Sequence, residues 1–454
     1  MKIAVRLLFL AAVIPLLRAT VGAQSFPDRS EMAQYMNATQ NQGTPPAPGT
    51  KITMSNWQQY RNFMPLGMQK FFEGSFFWKM PTDIEIDVGP TIGNNVPKSY
   101  IEATEKYGPQ TSFQVLPNGH YVLVNYHGGV PFPNPTDPHK GWKVLANNFI
   151  GHYAPAIYVN TPNNYGTVFI QDRYGNISSD SFDVVYRHSD YNTDPAFPVT
   201  ETYAPGTWYT EWGMQETPEQ ARYTASLQLF YKDQEKNPFP DTFVFVPALR
   251  RSLRLSSSAR CSPVFGLDWT YDDANGNGFN GSTSVYDADF LGDRTVISLK
   301  HFNADGAIFP GNYFMPIGFP KPSWGKWELV PTAVVDVHRI PSEAAGYCYA
   351  NRVMWVDKET WWSTWSDLYD SNHKLWKMQF WGAEIRDLPG SGLPGHTVGG
   401  AAAISWDIQN SHATYWSGMG NPWKREPYID NQVPKEYRDG VKYGSPSGLM
   451  QILR

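Results

Sequence analysis

Apolar and polar residues alternate in short runs along most of the chain, a pattern that predicts a mainly β protein. After Gly108, segments rich in β-branched and aromatic residues are separated by Gly, Pro, Asn and Asp, which is typical of strands joined by turns. The predicted strands are HYVLVNY, TVFIQDRYG, FDVVYRH, RYTASLQLFYKD, TFVFVPALRR, WELVPTAVVDVHRI, RVMWV, WWSTWSDLYD, KLWKMQFW and AISWDIQ. We therefore expect one large antiparallel sheet.

Helical periodicity is limited to the region before that sheet. Ser55 can cap a helix whose apolar positions Trp57, Tyr60 and Met64 recur at spacings of three and four, with Pro65 ending it. A second short helix is predicted at LGMQKFFEG and a helical turn at IEATEKYG. The expected fold class is therefore mainly β with a few helices.

The stretch from Arg352 to Trp381 holds six tryptophans and predicts a three-stranded meander. Its strands are Arg352 to Val356, Trp361 to Tyr369 and Lys374 to Trp381, joined by DKET and DSNH, which both begin with a turn-forming Asp. Both faces of this meander carry apolar residues, so either both are covered or one is a wall for a ligand. The candidates for such a wall, if they are not simply core, are Trp355, Trp361, Trp362, Trp365 and Trp376.

The first residues predict export. Lys2 and Arg6 precede an apolar run from Leu7 to Leu17, and small residues at Val21-Gly22-Ala23 offer a cleavage site. These features are typical of a cleaved secretory signal peptide over residues 1–23. The apolar run is too short for a membrane span, so none is expected after cleavage.

Two segments follow the signal peptide. Residues 24–50 are polar and end in GTPPAPGT, so they are expected to form a flexible N-terminal arm. Residues 51–454 have no repeat of fixed period, which argues against propellers and solenoids. They are expected to form a single large antiparallel β domain with N-terminal helices and long loops rich in Pro and Gly.

Charge and composition narrow the classes of function. The formal net charge is −5 and the pI is about 6.1. This overall charge gives no basic footprint, so nucleic acid is not expected as a partner. Charged residues make up 17% and aromatic residues 15% of the chain, against a usual charged fraction of about 25%. This profile is typical of an exported binding or scaffold protein.

The sequence has no GxSxG elbow and no HExxH motif, so no enzyme is expected. A triad or a pair of carboxylates from distant positions stays open. Asp273, Asn275 and Asn277 have the oxygen spacing that opens a calcium-binding loop, but Ser284 stands where that loop needs a bidentate Glu. No cofactor is therefore expected, with a loose Ca²⁺ site as the alternative to an Asx-turn loop without metal.

Cys261 and Cys348 are the only cysteines. In an oxidising compartment they are expected to form one disulfide, the alternative being two separate buried thiols.

An arginine cluster follows the predicted strand TFVFVPAL. Arg250, Arg251 and Arg254 are followed closely along the chain by Asp268, Asp272 and Asp273. One interpretation is an anion clamp at the mouth of a cavity, in which guanidinium groups bind a phosphate or carboxylate. The other is a structural network of ion pairs between these arginines and these aspartates.

Several long segments together resemble one known family. They are IEATEKYG, NYHGGVPFPNPTDPHKGWKV, FVFVPALRRSLRL, GLDWTYDD, NRVMWVDKETWWSTWSDLYDSNHKLWKM and SWDIQNSHATYW. In this order they are similar to the periplasmic family catalogued as domain of unknown function 1329, whose members are often labelled outer membrane lipoprotein-sorting proteins. The resemblance implies a lipoprotein-carrier-like fold, in which a curved sheet forms a half-open barrel covered by helices and loops.

These observations predict a periplasmic, non-enzymatic binding or shuttle protein for a lipid-like or hydrophobic small molecule. Arg250 or Arg251 would hold a head group at the rim of an aromatic-lined hollow. The resemblance implies that the protein works together with a resistance-nodulation-division exporter or an outer-membrane transport component. The alternatives are a secreted polysaccharide-binding protein or carbohydrate-active enzyme that uses exposed tryptophans, and an outer-membrane assembly partner that binds protein edges.

Overall fold

The computed structural model describes residues 28–39, 43–94, 96–154, 156–160, 166–193, 206–273, 278–303, 306–385, 397–417, 428–429 and 435–453. Its helices are α1 Arg29–Thr39, α2 Trp57–Tyr60, α3 Leu66–Glu73, α4 Lys98–Tyr107, α5 Lys140–Phe149, α6 Gly440–Gly444 and α7 Pro446–Leu449. Within these residues, no helix combines the length and the apolar character that crossing a bilayer requires.

The strands, in chain order, are β1 Lys51–Thr53, β2 Glu85–Asp87, β3 Ser112–Val115, β4 Tyr121–Val124, β5 Ile157–Asn160, β6 Thr167–Gln171, β7 Ile177–His188, β8 Thr207–Thr217, β9 Ala225–Tyr231, β10 Asp241–Val246, β11 Arg251–Leu255, β12 Tyr286–Ser298, β13 Tyr313–Phe314, β14 Phe319–Pro320, β15 Glu328–Arg339, β16 Asn351–Asp357, β17 Ser363–Tyr369, β18 Leu375–Ile385, β19 Thr397–Asp407, β20 His412–Ser417 and β21 Tyr428–Ile429.

Most of these strands join a single sheet of 15 strands. The strand order is β11-β10-β9-β8-β7-β6-β20-β19-β18-β17-β16-β15-β12. Strand β6 pairs with the N-terminal half of β7 and β5 with its C-terminal half, and β21 pairs with β5. The sheet is antiparallel, curved and open, because the edge strands β11 and β12 do not pair with each other. The predicted fold class is confirmed.

The tryptophan-rich meander forms as predicted, as β16, β17 and β18. Its turns are held by the aspartates that begin them, since Asp370 Oδ1 accepts the backbone N–H groups of Asn372 at 2.8 Å and Lys374 at 2.9 Å. Asp357 similarly accepts the N–H group of Glu359 at 2.9 Å. These local bonds fix the strand ends and the register between strands.

The first face of the sheet is a row of directly paired large side chains that crosses adjacent strands. The row is Trp355, Trp365, Phe380, Ile404, Tyr415 and Phe169. Helices α1 to α3, together with residues 299–303 and 306–327, cover it and share one apolar core with it. No part of this row is left as an open wall, since its members are buried or packed against that core.

The second face carries the alternate residues of the same strands. Val335, Met354 and Val356 pack there against Leu145 and Phe149 of α5. Of the two alternatives for the meander, the structure shows the first for β16, whose residues are all buried, so both of its faces are covered. Covering both faces removes much more apolar surface from water than a one-sided sheet could.

Helix α1 departs from the flexible arm expected over residues 24–50. Met32, Tyr35 and Met36, at spacings of three and four, are buried in the first-face core. The Tyr35 ring meets the Trp355 ring edge-on at 6.1 Å, and Arg294 donates to the main-chain carbonyl of Tyr35 at 3.2 Å. The polar composition misled the prediction, because only this narrow apolar stripe is needed to pack a helix.

The first predicted helix, expected between Ser55 and Pro65, is only four residues long as α2, and α3 forms where expected. Asn56, rather than Ser55, precedes α2, and its side chain bonds to the Thr53 N–H at 2.8 Å instead of capping the helix. The first turn of α3 is held from the sheet, since Asp367 Oδ2 accepts the N–H of Gly67 at 2.9 Å. This contact fixes α3 against β17.

Candidate functional site

An apolar cavity of about 80 Å³ lies between the second face of the sheet and a short loop. The loop, residues 264–269, follows β11 and is called the cover loop below. Apart from a glycine, every lining side chain is aliphatic or aromatic, as in a site for an apolar group. The lining residues are Gly166, Val168, Phe182, Val184, Tyr186, Val264, Phe265, Leu267, Trp269, Trp381 and Trp416.

Strand register brings the wall of the cavity together. Trp381 of β18 and Trp416 of β20 both pair with Ala403 of β19, so the two indoles lie on one face with a methyl group between them. Val168 of β6 projects to the same face, because its neighbour Phe169 belongs to the first-face row. A small residue between two large ones leaves part of this wall recessed.

The cover loop has a compact, internally bonded shape. Pro263 and Thr270 form an antiparallel bridge at its base. The N–H of Val264 donates to the Trp269 carbonyl at 2.9 Å, and the N–H of Leu267 donates to the Val264 carbonyl at 2.9 Å. The loop can therefore pack on the sheet as a preformed unit.

Asp268 fastens the cover loop to the sheet, and its contacts are called the Asp268 anchor below. Its carboxylate accepts hydrogen bonds from His412 Nδ1 and from the Thr414 hydroxyl, both at 2.8 Å. The Thr414 hydroxyl in turn accepts the Asp268 N–H at 3.0 Å, and Lys377 Nζ donates to the Asp268 carbonyl at 2.8 Å. Leu267 and Trp269, on either side of Asp268, line the cavity, so the anchor positions that lining directly.

We expect His412 to make the anchor dependent on pH. The hydrogen bond with Asp268 raises the pKa of His412 above its ordinary 6.5, partial burial opposes this, and the carboxylates of Asp407 and Asp172 add to the rise. Lys377 lies near Asp407 and lowers the pKa of that carboxyl group, against a larger rise caused by burial. Because the folded pKa is raised, the stabilisation is complete below the unfolded pKa and is lost as pH rises through the folded one.

We expect His412→Gln to reduce the free energy of unfolding more at about pH 5.5 than at about pH 9, measured by urea denaturation of both proteins at each pH. Thr414→Val is the control, because it removes a hydrogen bond from the same carboxylate without removing a group that titrates in this range. Its effect should be equal at the two pH values. A His412→Gln effect that does not change with pH, or that grows as pH rises, would contradict the anchor.

A buried ion-pair network lies next to the cover loop, with Asp272 at its centre. Arg260 and Arg339, the latter at 2.9 Å, both donate to its carboxylate. The hydroxyls of Tyr286 and Tyr347 donate to it as well. Burial alone would raise the pKa of Asp272, but the charges of the two guanidinium groups and the hydrogen bonds from Tyr286 and Arg260 lower it well below the ordinary value. The network fixes the segment after the cover loop onto β12 and β15.

Asp273 is held by the protein rather than left open as a metal ligand. One oxygen pairs with Arg352, and the other accepts the Tyr349 hydroxyl and the Thr270 N–H, both at 2.9 Å. Asn275 and Asn277, the other two calcium candidates, lie outside the described residues. Among the residues that are described, no group of three or more His, Cys, Asp or Glu is arranged to hold a metal.

The tryptophans expected to line one hollow are instead divided between separate parts of the core. Trp355 and Trp365 belong to the first-face core, Trp361 packs on the second face near α5, and Trp362 packs against Val96. All four are at most 6% exposed. The half-buried Trp376 donates its indole N–H to Asp407 at 3.0 Å. The aromatic-lined hollow predicted at these positions is therefore filled by the protein's own side chains.

Neither interpretation of the arginine cluster matches the structure. Arg250 and Arg251 are exposed at the β10–β11 turn and do not line the cavity. Arg254 pairs with Asp241, its Nε lying 3.2 Å from the carboxylate. The aspartates do form a structural network, as one interpretation supposed, but with arginines from other segments. Those partners are Arg260, Arg339 and Arg352.

Cys261 and Cys348 form a disulfide with their Cα atoms 5.7 Å apart. The bond joins the segment between β11 and β12 to the β15–β16 connection. It therefore crosslinks the region that holds the cover loop and the ion-pair network to the main sheet.

The sequence-based reasoning missed Trp269, Trp381 and Trp416 as cavity residues. Trp381 stands next to Phe380 of the first-face row, so strict alternation along β18 assigns it to the opposite face from Trp365. That parity is a usable signal. No sequence signal predicts that Trp381 and Trp416 contact the cover loop, because they lie more than a hundred residues from it in sequence.

Three solved structures have limited similarity to this chain. A domain from Vibrio parahaemolyticus, which its name assigns provisionally to outer membrane lipoprotein sorting, is 14% identical with a TM-score of 0.43, over 66% of this chain and 97% of its own. A DUF1329 family protein from Desulfovibrio piger is 16% identical with a TM-score of 0.42, over 68% and 100%. A LolA superfamily protein from Nitrosomonas europaea is 11% identical with a TM-score of 0.33, over 58% and 84%. Identities and scores this low carry no inference about a ligand.

Curated proteins provide no match to this chain. The model of the family described as "Protein of unknown function (DUF1329)" matches residues 51–436, a span that includes the cover loop, the Asp268 anchor and the ion-pair network. Because the match extends over most of the sequence, the chain belongs to the DUF1329 family.

Proposed function

We propose that this protein is an exported, periplasmic binding protein that takes the apolar part of a lipid-like, amphipathic molecule into the cavity under the cover loop. The observation that carries the proposal is the lining of that cavity, in which every side chain is aliphatic or aromatic. Transfer of each methylene group from water into such a site contributes about 0.8 kcal/mol.

The size of the cavity limits what enters it in this conformation. A cavity of about 150 Å³ holds a benzene molecule, so about 80 Å³ accommodates roughly half as many carbon atoms. The expected guest is therefore the end of an alkyl chain or the edge of a ring, with the rest of the molecule outside. A longer buried segment requires the cover loop to move away from the sheet, which means breaking the Asp268 anchor.

The proposed role is binding or shuttling rather than catalysis. The signal-peptide pattern of residues 1–23 supports export, and an exporter of the resistance-nodulation-division type or an outer-membrane transport component is the proposed partner. The polysaccharide alternative loses its main support, because sugar stacking needs exposed indoles. Four of the five tryptophans singled out in the tryptophan-rich meander are at most 6% exposed.

Native mass spectrometry and lipid extraction of protein purified from the periplasm test the proposal directly. We expect an amphipathic molecule with an alkyl chain or a fused-ring body to remain bound. An empty protein in repeated preparations, together with no heat of binding for laurate in calorimetry, would remove the proposal.

A substitution that fills the cavity should remove most of the affinity for laurate. We expect Val184→Phe to weaken laurate binding at least tenfold, because excluding about three carbons forfeits about 2.4 kcal/mol, or roughly 50-fold. Val122→Phe is the matched control, since Val122 is also a half-buried strand valine but belongs to the separate β3–β4 sheet. Isothermal titration calorimetry should give similar affinities for this control and the wild type.

A further inference from the structure

One end of the large sheet carries three neighbouring hairpin turns. Residues 172–176 join β6 to β7, residues 218–224 join β8 to β9, and residues 247–250 join β10 to β11. Because β6 to β11 are consecutive antiparallel neighbours in the sheet, all three turns lie at the same end of it. The β9–β10 connection lies at the opposite end.

Among the large aromatic and aliphatic side chains of the described residues, the most exposed one lies in the β6–β7 turn. Tyr174 is 82% exposed. The turn is held by its own side chain, because Asp172 accepts the N–H groups of Tyr174 at 2.8 Å and Asn176 at 2.9 Å. The Arg173 guanidinium lies 5.2 Å from the ring of the exposed Phe77 and 5.7 Å from the Tyr174 ring. Aromatic and cationic groups are thus displayed together.

The β10–β11 turn repeats this combination with different residues. Leu249 is 51% exposed, and Arg250 and Arg251 beside it are exposed as well. The turn is closed by the Arg250 N–H, which donates to the Pro247 carbonyl at 3.1 Å. Within the described part of the chain, neither of these arginines nor Arg173 has a carboxylate partner. In the middle turn, by contrast, Arg222 is neutralised by Glu216 and Glu219.

We propose that these two outer turns bind the surface of an anionic phospholipid bilayer. Tyr174 and Leu249 enter the interfacial region, where side chains with an apolar body are favoured, and the three unpaired arginines contact lipid phosphates. The charge of the arginines complements an anionic bilayer. Both turns are already ordered, so little conformational entropy is lost on binding. The surface involved is called the hairpin end below.

The expected strength follows from the charges. Each basic residue close to an anionic bilayer contributes about 1 kcal/mol, or about fivefold in affinity. Removing Arg250 and Arg251 together should therefore weaken binding about 25-fold. Binding should also fall steeply with added salt, because screening acts within a Debye length of the surface.

Sedimentation with lipid vesicles tests this inference on the full mature chain. Wild-type protein is expected to sediment with vesicles of phosphatidylglycerol and phosphatidylethanolamine and to remain in solution with vesicles of phosphatidylcholine alone. Arg250→Ala combined with Arg251→Ala should lose the association, and Tyr174→Ser combined with Leu249→Ser should weaken it and leave the salt dependence in place. All four positions are exposed, so both double variants should keep wild-type thermal stability.

Lys232→Ala combined with Lys236→Ala is the matched control. It removes two exposed cations from the β9–β10 connection at the opposite end of the sheet, and it should bind the anionic vesicles like wild type. The inference is overturned if wild type fails to sediment with those vesicles, if the hairpin-end variants bind as well as wild type, or if the lysine control loses as much. Val184→Phe should still bind vesicles, so failure of the cavity proposal and failure of this one are distinguishable.

Discussion

Replacing Asp272 with asparagine is expected to lower the free energy of unfolding by about 3–5 kcal/mol, which is the usual cost of removing one partner from a buried ion pair. The substitution keeps the shape of the side chain but leaves Arg260 and Arg339 as uncompensated buried charges. Both arginine side chains are at most 4% exposed, so water cannot replace the lost carboxylate. Equilibrium urea denaturation at neutral pH measures the difference.

Asp293→Asn is the matched control for that experiment. Its carboxylate pairs with Lys358 at 3.2 Å, but both side chains are about half exposed. An exposed pair of this kind contributes about 0–1 kcal/mol. The importance assigned to the Asp272 network would be contradicted if the two substitutions had equal effects, or if Asp272→Asn left the unfolding midpoint unchanged.

Removing the disulfide is expected to cost a similar amount. Cys261 and Cys348 are separated by 87 residues, and in the chain-entropy model closing a loop of that length stabilises the fold by about 4.6 kcal/mol. The double variant Cys261→Ser with Cys348→Ser should therefore unfold at lower urea concentration. The free energy of unfolding of the double variant should also fall more steeply with urea concentration, because an uncrosslinked chain exposes more surface when it unfolds.

A thiol reductant separates this effect from the change of side chain. Dithiothreitol should destabilise the wild type to about the level of the double variant and should leave the double variant unaffected. A wild type that is insensitive to reduction under conditions that break the bond, or a double variant as stable as the wild type, would show that the crosslink contributes nothing to stability.

The strands of the central meander could be predicted closely because their signals are local. The predicted strands Arg352 to Val356, Trp361 to Tyr369 and Lys374 to Trp381 correspond to β16, β17 and β18 within a few residues at each end. Turn-forming aspartates and period-two alternation act over short distances and need no knowledge of the rest of the chain. Helix α1 was missed because three apolar residues in a polar segment give only a weak helical signal.

The candidate site was less predictable, because it depends on which segments cover the sheet. The same alternation that made Trp355 and Trp365 candidates for a ligand wall also suits core residues, and only the position of α1 to α3 decides between these roles. The partners predicted for Asp272 and Asp273 were the three arginines of the β10–β11 hairpin, although Arg260 lies nearer in sequence. The true partners come from the cover-loop region and from β15 and β16, up to 79 residues away.

The sequence by itself determined the strands, the turns and the division of each strand into two faces, since these follow from backbone preferences and side-chain alternation. Only the tertiary structure decided which face is filled, where an apolar cavity remains, and which buried charges neutralise each other. Those outcomes depend on packing between distant segments. An antiparallel sheet with two apolar faces has no intrinsic preference for the elements that cover it, and here α1 to α3 close one face while the cover loop leaves a gap on the other.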